Sequence, residues 1–167
     1  MAVEMRDFEG FFGAEYLRVL RSLTLVLGDR QRAEDAAQEA FARAYRRWSA
    51  VGQMERPGTW VYVVALRAER RRLTRDANRP DVELEAVDAS GVDDAIDRVW
   101  VVDALAKLSP RQRCAIVLRY YADLPVTDVA EAMGCAPGTV KATLHAALER
   151  LQVRMSADAA EEVPSAN

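Results

Sequence analysis

The side chains best suited to chemistry in this chain are cationic and aromatic, and they gather in two places. Arg67, Arg70, Arg71, Arg72 and Arg75 crowd one short stretch that begins soon after Trp60 and Tyr62. Lys141 and His145, with Thr139 and Thr143 beside them, stand at polar positions of a second stretch, GCAPGTVKATLHAALERL, residues 134–151. Guanidinium and ammonium groups neutralise phosphates, and an aromatic ring beside them offers a stacking surface to an unpaired base. Both stretches therefore read as nucleic-acid contacts, set against the plainer reading of solvated helix faces with Trp60 packed inward. Asp35, Gln38 and Glu39 form a third group, with Arg43 one turn further on. Three- and four-residue spacing puts them on one side of a helix. Such a side serves either oriented polar contact with a protein partner or simple solvation.

Enzyme chemistry finds little to work with. The chain has no paired carboxylates in a supporting constellation, no glycine-rich phosphate loop and a single histidine. No catalytic residue is expected. Cys114 and Cys135 have no CxxC partners, so neither a structural metal nor a disulfide framework is expected, and no cofactor is implied. No apolar run reaches the roughly 18 uncharged residues of a transmembrane helix. The start, MAVEMRDFEG, is acidic where a secretory signal would be basic and then apolar. A cytoplasmic location without membrane insertion is the expectation.

The elements that must position these groups are all helical. Phe8, Phe12, Tyr16, Leu20, Leu23 and Leu27 give one apolar face to a helix over 8–27. The tripeptide GDR ends it, with Gly28 suited to a left-handed cap and Asp29 to capping the next helix. That helix spans 32–48 on a stripe of Ala33, Ala37, Phe41, Ala44, Tyr45 and Trp48. After the turn RPGT a third helix starts at Trp60, apolar at first and arginine-rich later. In the second half Val99, Val102, Leu105 and Leu108 make a helix that stops at Ser109-Pro110, a cap followed by a first-turn proline. Cys114, Val117, Leu118 and Tyr121 line the next one. The short segment VTDVAEAMG then turns through GCAP into a helix striped by Val140, Leu144, Leu148 and Leu151. Two short helices about a glycine-containing turn make a helix-turn-helix, or else an unspecialised helical hairpin.

Charge divides the chain more sharply than its net of −3 reveals. Residues 1–75 hold 14 basic and 10 acidic side chains, and residues 98–155 hold 8 and 5. Between them, 76–97 has eight acids and one arginine, and the tail 156–167 carries a net −3. The expectation is an all-α fold: helical domains over 1–75 and 98–155, an acidic flexible linker over 76–97, and a disordered acidic tail. Basic domains and an acidic linker attract at short range, which favours a compact resting arrangement.

Three segments together resemble bacterial RNA polymerase sigma factors of the extracytoplasmic-function (ECF) type, in the sigma-70 family. RQRAEDAAQEAFARAYRRW (30–48) is similar to the family's core-binding helix, PGTWVYVVAL (57–66) to its promoter-melting segment, and 108–151 to its −35-binding domain nearly end to end. The resemblance implies a dissociable promoter-specificity subunit rather than an enzyme. Asp35, Gln38, Glu39 and Arg43 would dock on the clamp helices of the polymerase's largest subunit. Trp60, supported by Tyr62, would hold the melted −10 strand, with Arg67, Arg70, Arg71 and Arg75 along its backbone. Arg111, Arg113, Thr139, Lys141, Thr143 and His145 would serve the −35 element, Arg111 and Arg113 alternatively the polymerase flap. The acidic linker would thread toward the active-site cleft, and an anti-sigma factor is a possible partner.

The chain departs from the family pattern at informative points. Where GTVKSRLHRAR is common it reads GTVKATLHAAL, so Ala142, Thr143, Ala146 and Leu148 replace a serine and three arginines. Arg67 stands where asparagine is usual. Two rivals stay open: a free-standing helix-turn-helix regulator, and a sigma-related interaction module without promoter selectivity.

Overall fold

The computed structural model describes the backbone of residues 2–76 and 95–161 and the side chains of 7–72 and 101–152. Among the described residues the regular structure is entirely helical: α1 Ala2–Leu27, α2 Arg30–Arg46, α3 Trp48–Val51, α4 Pro57–Asp76, α5 Ala95–Ala106, α6 Pro110–Ile116, α7 Val126–Met133 and α8 Pro137–Glu161. A π-helical turn, Val117–Tyr121, continues α6. Among the described residues no helix is long and apolar enough to cross a membrane. The acidic linker expected over 76–97 lies outside the described residues except at its ends, where Asp76 closes α4 and Ala95 opens α5. α8 carries on to Glu161, into the first residues of the tail expected from 156, and the rest of that tail lies outside the described residues.

Local sequence sets the helix ends. Gly28 adopts φ 71°, the left-handed conformation a side chain disfavours, and its N–H closes on Thr24 O at 2.8 Å. Asp29 caps α2 by accepting from the Arg32 N–H at 2.9 Å. Ser109 and Gln112 form a reciprocal capping box over Pro110 at the start of α6. Gly134, at φ 66°, turns α7 into α8.

In the N-terminal half, α1 packs along α2, whose inner face is mostly alanine: Ala33, Ala36, Ala37, Ala40 and Ala44 are all buried. Such small side chains let two helix backbones approach closely. Phe41 closes that face within an aromatic cluster that includes Phe11, Phe12 and Tyr16, with ring centroids 5.2–5.7 Å from its own. Tyr45, expected in the stripe, instead lies half exposed at the rim, edge-on to Phe8 at 5.1 Å. Arg32 on α2 pairs with Glu69 on α4 through Nε at 2.8 Å and through a second contact by Nη2.

Tyr62 is also a correction. Read as support for a nucleic-acid surface, it is 2% exposed, and its hydroxyl donates to Ser22 Oγ at 2.9 Å, between α4 and α1. Burial pushes its pKa up to about 12, offset partly by the Ser22 hydrogen bond. The fold thus favours the neutral phenol, and the resulting stability is intact below pH 10 and lost as pH rises towards 12. A denaturant titration repeated across this range should show the wild type losing roughly 2–3 kcal/mol between pH 10 and 12. Tyr62→Phe should start about 1 kcal/mol less stable at pH 8, for want of the hydrogen bond, and fall less steeply. Parallel profiles would remove Tyr62 as the source.

In the C-terminal half α8 lies on α6 and α7 through Val140, Leu144 and Ala147, with Leu151 partly buried behind them. The expected stripe had Leu148 where Ala147 is found; Leu148 is 42% exposed. Each four-residue step overshoots a turn by about 40°, so a second consecutive step carries the side chain off the buried face. The buried residues of both halves form one continuous cluster, from Val19 and Tyr62 through Ile116 and Val117 to Val140. The two helical bundles are therefore packed on each other.

Candidate nucleic-acid interface

The expected partner-docking group lies on the outer side of α2. Asp35, Gln38 and Glu39 are exposed and Arg43 half-buried. Glu39 and Arg43 are ion-paired across one turn, and Asp35 accepts from Gln31 at 3.1 Å and faces Arg72 at 3.7 Å. Ion pairs this exposed contribute little to stability, which leaves the carboxylates available to exchange partners.

The α4 group divides. Trp60 is half-buried and lines a cleft of about 450 Å³. Met54, Arg56 and Thr59 line the cleft on one side, and Pro125, Thr127, Asp128 and Glu131 on the other. Arg67 and Arg71 are exposed on α4, whereas the side chain of Arg75 lies outside the described residues. Arg70 is engaged: Nη1 donates to Met133 O at 2.9 Å and Nη2 to Ala132 O at 3.1 Å, at the C-terminal end of α7. That position is favourable for a cation, because the last carbonyls of a helix lack intrahelical donors and sit at the negative end of its dipole. Gly134 makes room for it, since a Cβ there would lie 2.5 Å from Arg70 Nη1.

In the C-terminal half, α8 presents Thr139, Lys141 and His145 to solvent, with Ala142 and Ala146 exposed beside them. Thr143 is partly buried, and its hydroxyl donates back to Thr139 O at 2.7 Å, so its hydrogen is already used. His145 lies 3.4 Å from Glu149. Arg111 is exposed at the start of α6, but Arg113 turns inward and donates through Nε to Val26 O at 3.1 Å, the C-terminal end of α1. Burial lowers its pKa from the ordinary arginine value. Burial likewise pushes the Cys114 thiol up to about 12, which makes it a poor nucleophile at neutral pH. No group of His, Cys, Asp and Glu side chains capable of holding a metal occurs among the described residues.

Four residues of the contact between the halves carry no sequence signal. Thr59 Oγ1 donates to Asp128 Oδ2 at 2.7 Å, Arg56 stands 3.6 Å from the same oxygen, and Arg18 donates to Ala122 O just past the π-helical turn. Each looks, in one dimension, like a solvated helix face.

Two family models match the chain in order: Sigma-70 region 2 over residues 12–79, and Sigma-70, region 4 over 98–151. The RNA polymerase sigma-E factor of Streptomyces coelicolor is 32% identical over 158 residues, spanning 92% of this chain and 89% of that one. The ECF RNA polymerase sigma factor SigL of Mycobacterium tuberculosis is 34% identical over 154 residues, spanning 84% and 85%. Among solved structures, the sigma factor RpoE from Bartonella quintana, in complex with the anti-sigma factor NepR, matches with a TM-score of 0.68 at 24% identity, covering 92% of this chain and 99% of that one. CnrH, in complex with the cytosolic domain of CnrY, matches with a TM-score of 0.58 at 20% identity over 92% and 90%. These two likenesses concern the fold.

Proposed function

The chain belongs to the ECF sigma factors of the sigma-70 family, RNA polymerase subunits that recognise promoters, and from that membership we propose how its surfaces divide the work. The outer side of α2, with Asp35, Gln38, Glu39 and Arg43, docks on the clamp helices of the polymerase. The α4 side, with Trp60, Arg67, Arg70, Arg71 and Arg75, holds the melted −10 strand: the indole stacks on a base and the arginines follow the backbone. The exposed face of α8 meets the −35 duplex through Lys141, His145 and Thr139, and Arg111 touches a phosphate or the polymerase flap. Arg113 and Tyr62 play no direct part in nucleic-acid contact in this reading. The protein acts in the cytoplasm and carries out no bond chemistry of its own; the polymerase does that. A protein partner of the anti-sigma kind, seated on both halves, completes the proposal.

The observation that supports this reading best is the position of Trp60, half-buried and lining a cleft, on a helix whose later turns carry exposed arginines. The α8 face is poorly armed, with a back-bonded threonine and a histidine beside a glutamate. Weak −35 contacts still suffice when polymerase tethers the domain and raises its effective concentration. The test is capture of core polymerase by the purified chain, followed by transcription from a promoter library. Selective transcripts are expected, and Trp60→Ala should reduce promoter opening about tenfold with polymerase capture unchanged. Capture without promoter selectivity would favour an interaction module, and duplex binding without polymerase a free-standing regulator.

A further inference from the structure

We propose that Lys141 is an acylation site, at which transfer of an acyl group from an acyl phosphate to Nζ weakens the hold of α8 on duplex DNA. The proposal rests on the reading above that the exposed face of α8 meets the −35 duplex. Of the 23 arginines and lysines in the chain, only Lys107 and Lys141 are lysines. A guanidinium stays protonated, whereas an amine can lose its proton and attack a carbonyl. The chain therefore offers two side chains to such a donor, and their surroundings differ. Lys107 stands one turn after Asp103, and its Nζ donates to Asp103 Oδ2 at 3.0 Å. That bond must break before the nitrogen can attack. Lys141 has no carboxylate one turn away on its own helix, where its neighbours are Pro137, Gly138, Leu144 and His145. It is exposed and, among the described residues, makes no hydrogen bond or ion pair. Approach is open as well: a Cβ added to Gly138 would meet nothing within 4 Å, and Ala142 is small and exposed.

In the transfer, the lone pair of Nζ attacks the acyl carbon, the N–C bond of an amide forms, and the C–O bond to phosphate breaks. Inorganic phosphate leaves with the bonding pair and one proton, and a second proton goes to solvent. The positive charge is gone from the product. The loss matters because this side of α8 has so few cations. Thr143 is bonded to Thr139 O, and His145 lies against Glu149. Arg150 comes nine residues after Lys141, about half a turn round the helix and so on the opposite side. Lys141 is thus the one arginine or lysine on this side of α8 among the described residues. A single acyl group removes the main phosphate contact available to the face.

The test treats the purified whole chain with acetyl phosphate and follows its peptides by mass spectrometry. Lys141 should acquire acetyl about fivefold faster than Lys107, whose hydrogen bond must first be given up. Treated protein should bind a random 40-base-pair duplex about tenfold more weakly than untreated at 50 mM salt and about threefold at 200 mM, with the salt slope lower by about 0.9. Lys141→Arg, compared with its own untreated form, should change by no more than about twofold on treatment, because a guanidinium is not acylated and its charge is kept. Acetylation of Lys107 as fast as of Lys141 would overturn the proposal, and so would equal losses of affinity in the two proteins. Lys141→Gln separates the proposal from the reading beneath it. Untreated, this variant should show the same weakened binding and the same shallower slope. If it binds duplex as the wild type does, the DNA-facing role of α8 falls and the acylation switch with it. Unselective acetylation would sink the switch alone and leave that role intact.

Discussion

Replacing Arg32 with alanine should destabilise the fold by about 3–5 kcal/mol, the cost of leaving a buried carboxylate without its partner. Glu69 is 6% exposed in its side chain and Arg32 24%, and the guanidinium meets Oε1 through both Nε and Nη2. Removal of Arg32 strands the charge of Glu69 between α2 and α4. Against a total stability of roughly 5–15 kcal/mol, that is about a fifth or more. It should appear as a fall in Tm of about 6–20 °C for a chain of this size. The double variant Arg32→Met with Glu69→Leu should recover most of the loss, because an apolar pair of similar volume needs no desolvation. A single variant as stable as the wild type would mean that Glu69 finds water or another cation. The pair also has a functional consequence: it fixes the register of α4 on α2, and with it the spacing between the Trp60 surface and the polymerase-docking side.

The caps were legible from sequence, since each depends on a few adjacent residues, whereas some ends were not: the second helix stops at Arg46 rather than 48, and α4 begins at Pro57 rather than Trp60. Gly28 and Asp29, Ser109 and Pro110, and Gly134 all do what their chemistry requires within three or four positions of themselves, and the reciprocal bond of Gln112 to the Ser109 cap came only with the structure. Errors appeared where a side chain's environment is set by a distant element. Tyr62 follows Trp60 so closely that both look available to a ligand, yet helical geometry sends Tyr62 inward to Ser22, 40 residues away. Arg70 and Arg113 share the composition of solvated arginines, but each finds helix-end carbonyls across the contact, 62 and 87 residues away at the nearest. Helix-end acceptors are backbone groups, so no residue type in the sequence marks them. The alternation of basic and acidic blocks favoured compaction and gave no hint of which helices would meet. The family pattern was legible because it lies in contiguous segments, and its arginine-poor α8 was visible for the same reason.

That departure leads to the other large effect expected. Restoring cations on α8, with Ala142→Arg and Ala146→Arg together, should raise affinity for a random 40-base-pair duplex about a hundredfold at 50 mM salt and about tenfold at 200 mM. Both positions are exposed, and Thr143 between them has its hydroxyl committed to the backbone. Each arginine that neutralises a phosphate adds about 0.9 to the slope of log affinity against log salt, so two add nearly two. Over a fourfold change in salt that slope is about a tenfold change in the gain. Net charge alone would also help, so the comparison is a variant with the same added charge elsewhere: Ala42→Arg with Ala50→Arg, both exposed in the N-terminal half. If α8 faces the duplex, the control should gain only a few-fold and its slope should change little. Equal gains in the two variants would mean that α8 has no privileged access to DNA. In that case the alanines would not be a weakened reading surface, and the −35 role proposed for Lys141 and His145 would lose its physical basis.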